Sequence, residues 1–134
     1  VQSASVDAVW SSHNIEHLHA HEVPLALAEF HRVLTPGGTA FITLPDLQEI
    51  ARYVVADKLD EVAYISPAGP ITPLDCIFGF GKPIAAGNGY MAHKTGFTAT
   101  TLKRALTDAG FSAVRVWSSN LSLWAEAVKQ PAVG

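Results

Sequence analysis

Between Val6 and Leu44 the hydrophobic pattern changes period twice, and that alternation admits few architectures. Val6 to Trp10 is a short apolar run with β-branched residues, ending in the polar cluster Ser11-Ser12-His13-Asn14. A run of this length and composition reads as a buried strand. Pro24 stands near the first turn of a helix that reaches about Leu34, a position where a missing N–H costs little. Val23, Ala26, Leu27, Phe30 and Leu34 recur at helical spacing, with Glu29 and Arg32 on the other side, so one stripe packs on a sheet. Thr35-Pro36-Gly37-Gly38 stops that helix, because Pro36 biases Thr35 away from helical dihedrals and glycine tolerates positive φ. Thr39 to Leu44 is β-branched and aromatic and reads as a second strand. Strand, helix and strand make a right-handed βαβ unit, so the two strands are parallel. The first strand lacks a clean polar alternation, and helices are therefore expected on both faces of the sheet.

Pro45-Asp46 ends the second strand, and Leu47 to Ala56 reads as a helix with Leu47, Ile50, Ala51 and Val54 on its buried side. From about 57 to 94 the periodicity fades among prolines and glycines, which marks an insertion. Tyr64, Ile77, Phe78, Phe80, Tyr90 and Met91 are too apolar for a solvated linker, so the insertion is expected to fold as a cover over a site. Thr98 suits the N-cap of a helix running to Ala109, with Leu102, Ala105, Leu106 and Ala109 buried and Gly110 making the C-terminal turn. Ala113 to Trp117 and Leu121 to Val128 read as two strands, and their short connection makes them an antiparallel hairpin.

The bulk composition narrows function. A chain of 134 residues with 49% hydrophobic and 16% charged residues fits a single domain with a real core. A formal charge of -3 offers no basic field, so no nucleic-acid partner is expected. The lone Cys76 excludes an internal disulfide and favours a reducing compartment. No apolar run approaches the roughly 18 residues of a membrane span and no signal peptide is visible, so the expectation is a soluble, cytoplasmic protein without a membrane partner.

A buried strand that delivers polar groups at its carboxyl end is how open α/β sheets build ligand sites. Ser5-x-Asp7-x-Val9-x-Ser11-Ser12-His13-x-x-Glu16-His17-Leu18, then Arg32-Val33-Leu34-Thr35-Pro36-Gly37-Gly38, Ala92 to Thr98 and Leu106 to Phe111, together resemble a class I S-adenosylmethionine-dependent methyltransferase of the type 11 kind. The resemblance implies a Rossmann-like α/β sheet, truncated to the family's strands four to seven, with the C-terminal antiparallel hairpin. It makes residues 1–134 a single partial domain with the insertion at about 57–94, and it implies S-adenosylmethionine as cofactor and a small-molecule methyl acceptor.

In that family the cofactor is held mainly by the first half of the sheet: a Gly-rich loop, an acidic strand end for the ribose and a polar residue for the adenine. None of these is found in this sequence, and Val1 falls just before the family's fourth strand. The expected remainder of the cofactor site is its floor, Ser11, Ser12, His13 and Asn14. Methyl transfer is an in-line attack that needs alignment and, for hydroxyl or amine acceptors, removal of a proton. His13 and His93 are the candidate catalytic bases, since an imidazole is neutral near physiological pH. Glu16 and His17 read as a turn that fixes the loop before the helix.

Two other readings use the same residues. His13-x-x-Glu16-His17 has the form of an inverted zinc-protease motif, with His19, His21 and Glu22 nearby. That motif needs a continuous helix, which Pro24 and the preceding strand disfavour, so no metal site is expected. The other reading is a non-catalytic fragment or assembly module. With the family's first strand absent, Val6 to Trp10 becomes an edge with only Asp7 to protect it, and a homodimer through that strand is the expected repair.

Overall fold

The computed structural model describes residues 1–133. Its centre is a four-stranded sheet of β1 (Val6–Ser12), β2 (Leu34–Pro45), β5 (Ala113–Ser119) and β6 (Ser122–Val128), in the order β1-β2-β6-β5. β1 and β2 are parallel, and β6 runs antiparallel to both its neighbours. The C-terminal antiparallel hairpin that the resemblance implies is formed, with β6 lying between β2 and β5.

Helix α1 (Val23–Val33) and helix α5 (Ala99–Asp108) lie on one face of the sheet. Leu27, Leu102 and Leu106 are sealed there against Ala40, Ile42, Leu44, Leu123, Ala125 and Ala127. Burying a side chain such as Leu27 contributes roughly 1.5–3 kcal/mol. Thr98 caps α5 by accepting from the Thr101 N–H, and Gly110 closes it at a φ of +103°. β2 is longer than the apolar pattern suggests, because the strand begins at Leu34 and passes through the Pro-Gly-Gly segment as an irregularity opposite Val6 and Ala8.

The expectation of helices on both faces is corrected. The opposite face carries Trp10, Phe41, Trp117 and Trp124, with Trp10 63% and Trp117 41% exposed. The Trp10 and Trp124 rings lie 6.3 Å apart, and the Arg115 guanidinium covers Trp117 at 4.8 Å while pairing with Glu126. β1 is an edge strand: among the described residues no strand pairs with its outer side. An apolar run therefore marked a strand correctly, but it did not say that both faces were covered.

Beyond β2, Asp46 caps helix α2 (Leu47–Val55), whose Ile50 is sealed while Ala51 and Val54, expected to be buried, face solvent. α2 meets the insertion and Leu121 of the β5–β6 turn, and one residue per turn suffices for that contact. The insertion folds into a small hairpin, β3 (Tyr64–Ser66) with β4 (Gly69–Ile71), followed by helices α3 (Pro73–Phe78) and α4 (Gly81–Ala85). Ile50, Ile71 and Cys76 form its own small core, with Leu47, Ile77, Phe80 and Leu121 packed around it.

Candidate functional site

The parallel strands β1 and β2 end side by side, and the chain leaves β1 through His13 in a left-handed conformation, φ +48°. Non-glycine residues seldom adopt that region, and those that do cluster at functional sites. The His13 N–H donates to the Thr43 carbonyl at 2.9 Å, which ties the turn to the end of β2. A single 3-10 turn, Ile15–His17, follows. The long helix that an inverted zinc-protease motif requires does not form.

The insertion is fastened over this strand end. Lys94 and Thr95 donate their N–H groups to the Glu16 carbonyl at 2.8 and 3.3 Å, and the His93 N–H donates to Phe78. Gly79, at φ +103°, lies so close to the Met91 carbonyl that a Cβ would collide with it. The floor is closed by the β5–β6 turn, in which Asn120 and Leu121 both have positive φ, as a two-residue hairpin turn demands. Leucine is poorly suited to that conformation, but its side chain packs beside Ile50 and its carbonyl accepts the Asp46 N–H.

Between strand ends and insertion lies a cavity of about 360 Å³, lined by His13, His17, Tyr64, Phe80, Met91 and His93 among others. His13 and His93, one from the strand end and one from the insertion, thus reach the same space. Of the expected floor residues, Ser12 and Asn14 are exposed beside His13 but do not line the cavity, and Ser11 is buried with its hydroxyl unpartnered.

Glu16 and His17, read from sequence as a turn, are the residues that pattern reasoning underrated. Glu16 is 1% exposed, and neither carboxylate oxygen has a hydrogen-bond partner. Its Oε2 lies 3.5 Å from His13 Nδ1 and 4.0 Å from His93 Nε2. His17 and His93 meet edge to face with ring centroids 4.9 Å apart. His93 is no surface residue: its side chain is 11% exposed, and Nδ1 lies 2.9 Å from the Cys76 carbonyl. Burial holds its imidazole below the usual histidine range, a shift that the Glu16 carboxylate and the Cys76 carbonyl partly oppose. Burial also pushes the Cys76 thiol up to about 11, with Asp75 adding to the effect.

The carboxylates at the strand ends are buried. Asp46 Oδ1 accepts the Gln48 and Glu49 N–H groups, Asp46 Oδ2 accepts the Ser118 hydroxyl at 2.6 Å, and Glu16 is sealed. Among the described residues, no carboxylate at the carboxyl end of a strand is free to take a ribose diol. Of the four expected floor residues only His13 lines the cavity, with Ser12 and Asn14 exposed beside it.

Residues 1–42 match the sequence model of a methyltransferase domain. No curated protein matches the chain. Among solved structures, a methyltransferase of Methanosarcina mazei described as S-adenosylmethionine-dependent is similar at 18% identity and a TM-score of 0.60, over 98% of this chain and 62% of its own. An O-methyltransferase family protein from Burkholderia thailandensis is similar at 12% identity and a TM-score of 0.60, over 97% of this chain and 32% of its own. The 1,6-didemethyltoxoflavin N1-methyltransferase of that organism, solved with bound 1,6-didemethyltoxoflavin and S-adenosylhomocysteine, is similar at 16% identity and a TM-score of 0.56, over 97% of this chain and 46% of its own. The chain spans less than two thirds of each. These likenesses establish the fold.

Proposed function

We propose that this chain, a class I methyltransferase by its opening sequence and its fold, forms the acceptor side of a site that transfers the methyl group of S-adenosylmethionine to a small molecule. The observation that carries the reading is the cavity at the carboxyl ends of β1 and β2, walled by Tyr64, Phe80 and Met91 and edged by His13. A pocket of that kind suits a compact, partly apolar acceptor. S-adenosylmethionine, when bound, supplies an electrophilic methyl carbon. In this reading Ser12, His13 and Asn14, exposed at the end of β1, hold its reactive end, and the adenosine portion falls to residues that this stretch does not contain.

In this reading His13 takes the acceptor's proton. Its imidazole is 51% exposed at the cavity edge, and the Glu16 carboxylate at 3.5 Å favours the imidazolium that forms. His93, with Nε2 turned to Glu16, orients that carboxylate rather than reaching the acceptor. The aromatic wall from the insertion keeps water from the reacting atoms. The test is transfer of labelled methyl from S-adenosylmethionine to a panel of small hydroxyl and amine acceptors. His13→Ala should lower kcat by about 100-fold, the scale of a lost general base. Unchanged turnover in that variant refutes the role. Residues 1–134 alone should bind S-adenosylmethionine poorly, and micromolar affinity by calorimetry would refute the assignment of adenosine to other residues.

A second reading is favoured by the unpaired edge of β1 and the exposed Trp10. The strand Val6–Trp10 pairs with a second copy of itself about a two-fold axis, which gives an antiparallel junction and one continuous sheet.

A further inference from the structure

A buried carboxylate with no hydrogen-bond partner is strongly unfavourable unless a positive group stands beside it. Glu16 is in that position at 1% exposure, with both oxygens unpartnered. What surrounds it is a set of imidazole nitrogens. His93 Nδ1 faces a carbonyl oxygen, which only accepts, so the ring proton sits on Nδ1 and Nε2 turns a lone pair toward Glu16 Oε2. His17 Nδ1 is also buried without a partner. One donor atom from each of Glu16, His17 and His93 lies within 4.8 Å of the others. Lone pairs converging in this way repel one another, and a cation among them turns each into a bond.

We propose that Glu16, His17 and His93 bind a divalent first-row transition-metal ion of the zinc type, with a fourth position open to the cavity. Two imidazoles and one carboxylate suit zinc and its neighbours rather than calcium or magnesium, which prefer oxygen alone. Bonds of about 2.0–2.2 Å put adjacent donors roughly 3.4 Å apart in a tetrahedron. The donors here need to draw in by roughly an ångström, within reach of side-chain rotation. The outer supports of such a site are in place. The Cys76 carbonyl fixes the tautomer of His93, and the Lys94 and Thr95 N–H groups lock the backbone of Glu16 to the segment that carries His93.

Three protein ligands with an open fourth position is the arrangement of zinc centres that act on a substrate. His13, 3.5 Å from the Glu16 carboxylate, stands beside that opening without being needed as a ligand. An acceptor hydroxyl or amine on the ion would be more acidic and held toward His13. That last step rests on the methyl-transfer reading, whereas binding of the ion does not.

The test is calorimetric titration of chelator-treated protein with Zn²⁺, together with the visible spectrum of the Co²⁺ form. One ion per chain is expected, with the intense d–d bands of four-coordinate cobalt and no competition from excess Mg²⁺ or Ca²⁺. His93→Ala and Glu16→Gln should each weaken Zn²⁺ binding by about 100-fold, a scale that even outer-shell changes reach. Glu16→Gln also removes the buried carboxylate, so its metal-free form should melt no lower than wild type, and it decides the matter if His93→Ala fails to fold. The exposed, stacked His19 and His21 are the control, and their joint replacement by Ala should leave binding unchanged. Absence of stoichiometric binding overturns the proposal. So does binding that survives Glu16→Gln and disappears with His19 and His21, which would identify an adventitious surface site. Zinc binding without methyl transfer even at saturating S-adenosylmethionine would refute the proposed function and leave the metal site standing.

Discussion

Replacing Asp46 with Ala removes two unlike interactions from one buried carboxylate. Oδ1 accepts the Gln48 and Glu49 N–H groups at 3.0 and 3.5 Å, which caps α2, and Oδ2 accepts the Ser118 hydroxyl at 2.6 Å, which ties β2 to β5 across β6. Losing the cap costs about 1 kcal/mol. A hydrogen bond to a charged acceptor contributes about 1.5–3 kcal/mol, and the lower end applies here because Ser118 is exposed and water can replace the carboxylate. The sum is about 2.5 kcal/mol. With a urea m-value of about 2 kcal/mol per M, the unfolding midpoint should fall by roughly 1 M. Asn keeps an oxygen for the cap and a group for Ser118, so Asp46→Asn should cost under about 1 kcal/mol. Combining Asp46→Ala with Ser118→Ala should show coupling of about 1 kcal/mol. If Asp46→Ala unfolds within about 0.5 kcal/mol of wild type, or the double-mutant cycle is additive, the bridge carries no energetic weight.

Three further outcomes follow from the same structure. Because burial raises the Cys76 thiol to about 11, its thiolate is scarce at pH 8 and grows only as pH climbs toward that value; alkylation of folded protein should be slow at pH 8, and a rate matching that of the unfolded chain refutes the burial argument. Val9→Lys places a charge beneath the edge strand and should convert a dimer into aggregate or unfolded chain, whereas a monodisperse wild-type monomer in sedimentation at micromolar concentration refutes edge pairing. The main core draws no residue from 57–94, so deleting Ser66 to Gly89 should keep cooperative unfolding while removing the cavity wall, and loss of the transition would make the insertion part of the core.

How much of this was legible depended on the range over which each signal acts. The βαβ unit was readable because Pro24, Pro36 and the helical stripe act within a few residues of where they stand, and α1 and α5 formed within a residue or two of expectation. The Thr72-Pro73-Leu74-Asp75 capping box was equally local, with Thr72 accepting the Asp75 N–H and Asp75 returning the bond, yet the surrounding glycines and prolines hid α3. Coverage of the sheet is not local. Nothing in Val6 to Trp10 distinguishes a strand roofed on both faces from one whose Trp10 meets solvent, because roofing is decided by which helices exist elsewhere.

The site shows the same division at smaller scale. His13 was legible because strand ends in α/β sheets present their next residues to ligands, a rule that needs only the strand. Glu16 reads from sequence as part of a turn, and that turn forms, but the spacing says nothing of its burial. Its distinguishing property is burial, and that comes from a segment far along the chain. Lys94 and Thr95 reach back to its carbonyl, and His93 is thereby laid against its carboxylate. A turn residue becomes a chemical group only when the insertion closes over it. The insertion therefore does more than cover a finished site: it desolvates Glu16, supplies the second imidazole and fixes that imidazole's tautomer through Cys76. Catalytic strength in a low-dielectric site comes from such preorganised groups rather than from their identity alone. It follows that His93→Ala should disturb the chemistry of His13 without touching it, through a Glu16 carboxylate left with one imidazole fewer. Turnover is the measurement, and kcat should fall although His93 is turned toward Glu16 and not toward the acceptor. An unchanged kcat on His93→Ala would show that the two histidines share a cavity but not a function.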